Sequence, residues 1–175
     1  MDEAFAGIKL QSSLELHRHN VEIIRQNKKW YDPEPDFCMY QTFYDANIKV
    51  LDLTDFSLYL VRDLDSTFSG CEADEVKFGH QKLPFISSLQ YCFSDVTIRK
   101  VDIENLIVPY ATVTSMQSMF QSAEISEVVL SKINTGALTN LEGFLYQAWI
   151  KAFDMRNIDT SNVTVMKSMF ECCRF

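Results

Sequence analysis

Apolar residues recur along this chain with a period of about 25 residues. Near the C-terminus, Val163, Met166 and Phe170 follow an i, i+3, i+7 spacing, which is typical of one face of a short helix. Four further segments carry the same triplet: Val61, Leu64 and Phe68; Ile86, Leu89 and Phe93; Val113, Met116 and Phe120; and Leu138, Leu141 and Leu145. The closing residues lie 25, 27, 25 and 25 positions apart. Such a fixed period predicts stacked supersecondary units rather than one closed globule.

A second apolar pattern repeats in register with the first. Each copy is a short apolar-x-apolar stretch, the pattern of a strand with one buried face: Leu51-Asp52-Leu53, Val76-Lys77-Phe78, Val101-Asp102-Ile103, Val128-Val129-Leu130 and Phe153-Asp154-Met155. These stretches are spaced by 25, 25, 27 and 25 residues. Both patterns therefore contain one two-residue insertion, which we place between strand and helix of the third unit, around Asn105 to Ala111.

These patterns predict an α/β fold of stacked repeats. We expect a leucine-rich-repeat-type right-handed solenoid, with a parallel β-sheet on one side and short helices on the other. About five repeats occupy residues 37–175, beginning with a partial unit, and residues 1–36 form an N-terminal capping segment of the same single domain. Apolar positions within residues 1–36 fit a helix or strands equally well, so their secondary structure stays open.

The last repeat resembles a known family. The segment from Asp159 to Thr164, followed by Met166, by Ser168-Met169-Phe170 and by a cysteine, is similar to BspA-like leucine-rich repeats. Those repeats are found in bacterial surface proteins, mycoplasma lipoproteins and some protists. The similarity covers residues 37 to 175, with the other copies keeping mainly the apolar positions. The resemblance implies a non-enzymatic solenoid that binds protein, and it does not identify the partner.

The sequence offers little for catalysis or cofactor binding. It has no Gly-rich phosphate loop, no GxSxG or HExxH motif, and only three histidines. His17 and His19 could form a metal pair on a strand, but with no third ligand evident they are better interpreted as solvated or structural. We therefore predict no enzymatic activity, no cofactor and no metal site. A net charge of −8 and a pI near 4.8 also argue against direct nucleic-acid binding.

The outward positions of the predicted strands carry the candidate partner-binding residues. These are Asp52, Lys77, Lys100, Asp102, Glu104, Glu127 and Asp154, which we place on a concave docking face for a protein partner. The alternative is a solvated, charge-balanced sheet, because cross-strand pairs contribute only about 0.2–1 kcal/mol each.

Apolar residues of the last repeat predict self-association. With no polar segment after them, Met166, Phe170, Cys173 and Phe175 leave that end of the solenoid uncovered, and two such ends could pack as a homodimer. The alternatives are a truncated chain or a short end that frays.

The start of the sequence lacks the basic and apolar regions of a secretory signal, and no apolar run could span a membrane. We therefore expect a cytoplasmic protein without membrane contact. Three functions fit: a cytoplasmic protein-binding module, a phage-encoded or mobile-element-encoded inhibitor of a defence nuclease such as a CRISPR effector, and a fragment of a surface adhesin. In the second case the partner is a nucleic-acid-processing complex whose basic channel the acidic protein occupies.

Overall fold

The chain winds into a β-solenoid. The computed structural model describes residues 4–15, 37–103 and 106–175. Its strands, in chain order, are β1 (Lys9–Glu15), β2 (Phe37–Cys38), β3 (Asn47–Asp52), β4 (Val61–Asp63), β5 (Glu72–Lys77), β6 (Gln81–Lys82), β7 (Thr97–Val101), β8 (Leu106–Ile107), β9 (Glu124–Val129) and β10 (Trp149–Asp154). Six of them form the parallel main sheet in the order β1-β3-β5-β7-β9-β10, and β2-β4 and β6-β8 form two small parallel sheets.

Successive coils stack in the predicted register. Asn47 pairs with Glu72, Glu72 with Thr97, Thr97 with Glu124, and Glu124 with Trp149, so the steps are 25, 25, 27 and 25 residues. The predicted solenoid with a parallel sheet is therefore confirmed.

The longer coil accommodates its two extra residues in a loop. Lys82 pairs with Ile107, 25 positions on, whereas Ser88 pairs with Ser115, 27 positions on. The extra residues thus lie between Ile107 and Ser115, a span that overlaps the predicted insertion. At this coil the pairing of β7 with β9 stops after Ile98 and Ile125.

The short helices predicted opposite the sheet are wrong. The described residues contain no α-helix, and each predicted helix is a run of consecutive turns. Between Leu64 and Cys71, every second backbone N–H donates to a carbonyl three residues earlier in the same coil. The N–H groups between them donate instead to carbonyls 24 residues later, in the next coil: Ser66 to Gln90, Phe68 to Cys92 and Gly70 to Ser94. An α-helix would bond every N–H four residues back and leave none for the next coil.

Left-handed backbone at fixed positions makes these turns possible. Each turn segment from Gln41 onward has two residues with φ between +50° and +72°, four positions apart. The first column contains Gln41, Ser66, Tyr91, Ser118, Gly143 and Ser168, and the second contains Gly7, Asp45, Gly70, Asp95, Ser122, Gln147 and Cys172. Positive φ at the third residue of a turn is the requirement of a type II turn. The i, i+3, i+7 apolar spacing is thus produced by turns that return the side chains to the core.

The core is a continuous stack of side chains along the solenoid axis. Phe5, Phe43, Phe68, Phe93 and Phe120 form a column with ring centroids 5.2–5.7 Å apart and planes within 9° of parallel. Leu145 and Phe170 occupy the next two positions of this column. Phe5 belongs to the segment 4–15, which stacks on the following coil as an additional, partial coil.

Candidate functional site

The strands of the main sheet are bent, and the bend creates two outward surfaces. In β3 the buried residues are Ile48 and Leu51, three positions apart, and both Lys49 and Val50 between them face outside. Strict alternation in a flat strand would bury every second residue. The same buried spacing recurs in β7 and β9, and in β10 Ile150 is buried while Phe153, three positions on, is half-buried. Each of these strands therefore has a first half and a second half that face different directions.

A groove of about 630 Å³ crosses the first halves of these strands. Its outer row of side chains comes from the first residue of each strand: Asn47, Glu72, Thr97, Glu124 and Trp149. Its inner row comes from the third: Lys49, Asp74, Arg99, Ser126 and Lys151. Residues two apart on a strand point to the same face, which is why both rows line one groove. The rows stack from coil to coil because the register of the sheet is constant there.

The groove is balanced in charge. It has three basic residues, Lys49, Arg99 and Lys151, and three acidic ones, Glu72, Asp74 and Glu124. Arg99 contacts Asp74 at 3.1 Å between guanidinium nitrogen and carboxylate oxygen. The amide of Asn47 donates to a Glu72 carboxylate oxygen at 2.6 Å. Both contacts are exposed and stabilise the fold little, because water screens such pairs.

Trp149 lies at the C-terminal end of the groove with 53% of its surface exposed. Glu124 is its direct partner on the neighbouring strand, and Lys151 follows it on the same face of β10. Within the described part of the chain, neither Glu124 nor Lys151 forms a side-chain hydrogen bond or ion pair. A large exposed aromatic side chain beside charges without partners is typical of the residues that dominate protein–protein affinity.

The predicted partner-binding residues lie instead on the second halves of the strands. There Lys77 contacts Asp52 at 3.6 Å, and Lys100 contacts Glu75. Burial raises the pKa of Asp52, but hydrogen bonds from Thr54 and the nearby Lys77 outweigh it, so that pKa is lowered. Many of these charges therefore already neutralise one another across the strands.

Three of the predicted acidic residues stabilise turns of the protein itself. Asp102 accepts the N–H groups of Phe78 and Gly79 in the preceding coil, at 2.5 and 3.2 Å. Asp52 accepts the N–H of Thr54 at 3.0 Å. Asp154 accepts both the N–H and the guanidinium of Arg156, which lowers its pKa to about 2. These three carboxylates therefore already accept hydrogen bonds within the protein, without any partner bound.

Of the remaining predicted residues, Glu127 is exposed on β9, and Glu104 lies outside the described residues. The groove was not predicted, because strict alternation along a flat strand would turn its side chains toward the core rather than outward. A signal existed in the sequence: Lys49, Asp74, Arg99, Ser126 and Lys151 form a polar column whose steps are 25, 25, 27 and 25 residues, in register with the repeat.

The residues predicted for self-association do come together on the last coil. Met166 and Phe170 are each 46% exposed, Phe175 is 69% exposed and Cys173 is half-buried. In the part of the chain that the structure describes, no further coil stacks on them.

Among residues 4–15, 37–103 and 106–175, no group of three or more His, Cys, Asp or Glu side chains could hold a metal ion. That same part of the chain has no helix of the length and apolarity required to cross a membrane.

Comparison with known sequences gives one family. Residues 37–124 and 87–175 each match the family described as "Mycoplasma protein of unknown function, DUF285". The two matches overlap and together cover all the stacked coils from β2 onward. No curated protein and no solved structure matches significantly.

Proposed function

Since the chain belongs to the DUF285 family, whose description names no activity, we propose from the geometry that it is a non-enzymatic protein-binding module. The observation that carries the proposal is the groove across the main sheet, with the exposed Trp149 at one end. Solenoids of stacked repeats commonly bind partners on such extended surfaces. The resemblance of the last repeat to BspA-like leucine-rich repeats supports the same function.

The dimensions of the groove favour an extended peptide segment as the bound element. Five strands at a spacing of about 4.8 Å make the groove about 19 Å long. A peptide in extended conformation rises about 3.3 Å per residue, so about six residues fit. We propose that an apolar or aromatic side chain of this segment packs on Trp149. An acidic side chain then pairs with Lys151 and a basic one with Glu124.

A displayed library of random twelve-residue peptides tests this proposal without a known partner. We expect peptides selected on the wild-type protein to carry an aromatic residue flanked by charge. Their affinity, measured by fluorescence anisotropy, should fall at least about tenfold in the Trp149→Ala variant, the size of a moderate hot spot. Tyr110→Ala is the matched control, because Tyr110 is 61% exposed and lies outside the groove.

The control decides how the selection is interpreted. Peptides that bind Trp149→Ala as tightly as Tyr110→Ala would place binding elsewhere and contradict the role of the groove. Failure to select any peptide above background would contradict peptide binding itself.

The other two functions stay predictions. Inhibition of a nuclease through its basic channel calls for an acidic surface, whereas the groove has equal numbers of acidic and basic residues. The adhesin function, the cytoplasmic location and the absence of enzymatic activity also stay predictions.

A further inference from the structure

The turn segments give the solenoid a direction. In each coil, alternate backbone N–H groups point toward the C-terminal end and donate to carbonyls of the next coil. The N–H of Phe120 donates to Phe144 at 3.0 Å, and the N–H of Leu145 donates to Met169 at 2.8 Å. Within each segment, one side therefore presents donors and the other presents acceptors. Bonds in the opposite direction occur at the segment ends, where the next strand begins: the N–H of Trp149 donates to the carbonyl of Ala123 at 2.8 Å.

On the last coil the corresponding donors find no acceptor among the described residues. By register, the N–H groups equivalent to those of Leu141, Gly143, Leu145 and Gln147 belong to Met166, Ser168, Phe170 and Cys172. Within the described residues, none of these four N–H groups donates to a carbonyl. We call this side of the last coil, together with the exposed side chains of Val165, Met166, Phe170 and Phe175, the C-terminal face.

The first coil presents the complementary groups. Phe5 and Gly7 donate their N–H groups to the carbonyls of Thr42 and Tyr44 at 2.8 and 2.6 Å. By the same register, the carbonyls of Ala4 and Ala6 point outward, and the described residues supply no donor for them. We call this side of residues 4–15 the N-terminal face. It also carries Phe5, which is half-buried.

Both faces lie at the ends of the same core column, in which Leu145 separates Phe120 from Phe170. Phe5 begins the stack that runs through Phe43 to Phe120, and Phe170 occupies a later position of that column. A ring from another molecule at the 5.2–5.7 Å spacing seen inside the stack would cover Phe170.

We propose that a second copy of this chain docks head to tail, with its N-terminal face on the C-terminal face of the first. Two C-terminal faces brought together would oppose donors to donors and leave them unsatisfied, which is costly for buried groups. The head-to-tail contact matches donors with acceptors and extends the Phe column. Because this contact uses two different surfaces, it does not close on itself, and it generates open chains of molecules.

Light scattering across a concentration series tests the arrangement. The wild-type protein should increase in mean mass with concentration, without a plateau at the dimer. Phe170→Glu and Ala4→Glu should each give monomers, since each blocks one face. Mixed in equal amounts, these two variants should form a 1:1 pair and no larger species, because one intact face of each kind remains.

Two further variants control for folding. Tyr59→Glu alters a residue that is 51% exposed and lies on neither face, so it should behave as the wild type does. If Ala4→Glu disturbs folding by circular dichroism, Ala6→Arg replaces it, since Ala6 is exposed on the same face. A wild-type monomer at all concentrations would overturn the proposal. So would a closed dimer that is abolished by Phe170→Glu but unaffected by a change at Ala4 or Ala6.

Discussion

The central coils and the last coil contain the same residues in opposite environments. Phe120 is fully buried, whereas Phe170, at the equivalent position 50 residues later, is 46% exposed. Met116 and Met166 form a second such pair, with 0% and 46% of their surface exposed, respectively. In a stacked repeat each unit contacts only its neighbours, so the presence of the next coil decides whether an apolar side chain is buried.

The backbone conformation and the bonds within one coil show no such difference, although the N–H of Ser118 donates to Glu142 of the next coil and that of Ser168 has no acceptor among the described residues. Ser118 in a central coil and Ser168 in the last coil have φ of 50° and 55°, and the turn bonds around them are the same. The coil shape is therefore a local property, and burial is a property of the stack. The following predictions test this contrast.

The largest expected effect is on stability. Phe93→Ala removes a buried ring from the middle of the column and should lower the free energy of unfolding by about 3–5 kcal/mol. Phe170→Ala should lower it by less than about 1 kcal/mol, because that ring is half in solvent. Urea unfolding at a protein concentration where the wild type is monomeric measures both. Equal losses would mean that Phe170 is buried in solution.

The cysteines should show the same contrast in reactivity. Burial, with a smaller contribution from Glu72, raises the pKa of Cys71 to about 12, and burial raises that of Cys92 as well. Cys172 is exposed on the last coil. Because the thiolate is the reactive form, a thiol reagent at pH 8 should label Cys172 at least about 100 times faster than Cys71. Peptide mapping by mass spectrometry gives the ratio, and comparable rates would contradict the buried placement.

A smaller effect concerns left-handed backbone. Gly143 has φ of +60°, and a Cβ there would lie 2.9 Å from the Ser118 hydroxyl oxygen. Gly143→Ala should therefore cost about 1–2 kcal/mol. Ser168→Ala, at the same position of the last coil, should cost little, because that residue already carries a Cβ at positive φ. Thermal unfolding compares the two. A neutral Gly143→Ala would indicate that the turn relaxes.

The smallest effect is a difference in the sign of a pH dependence. Burial raises the pKa of Asp65 in a central coil, whereas hydrogen bonds from Ser161 lower that of Asp159 in the last coil. A raised native pKa favours the protonated form, so the wild type should lose stability relative to Asp65→Asn as pH rises from about 3 to 7.

For Asp159 the sign is opposite. The ionised form is favoured in the native state, so the wild type should gain stability relative to Asp159→Asn over the same range. Urea unfolding at several pH values measures both differences. The same sign for both variants would contradict the assigned environments.

The repeat could be predicted from the sequence, and the form of its turns could not. The apolar triplets that close with Phe68, Phe93 and Phe120 indicated the period of the repeat and the stacking of its units. The turns and a helix return apolar side chains to the core with the same i, i+3, i+7 spacing, so spacing alone cannot separate them. The distinguishing feature is positive φ at residues such as Tyr91 and Gln147, which are not typical of that conformation.

The candidate site was predicted only in its general location. Asp154 lies on β10 of the main sheet as expected and Asp102 directly follows β7, but the backbone bonds they accept cannot be read from a strand pattern. The groove depends on a bend that makes Lys49 and Val50 both face outward. That bend arises because the strand follows two sides of one core, which an alternation rule for flat strands does not include.

By itself the sequence determined the period, the parallel stacking and the apolar columns, because each depends on residues that recur at equal steps. The tertiary structure alone decided three things: turns in place of helices, the groove with Trp149 at its end, and the unmatched donors on the last coil. The turns and the unmatched donors depend on where a backbone N–H finds its acceptor in a neighbouring coil, and bonds between coils have no counterpart in the side-chain pattern of a single one. The groove depends on the bend of the strands around the core, which an alternation pattern does not contain either.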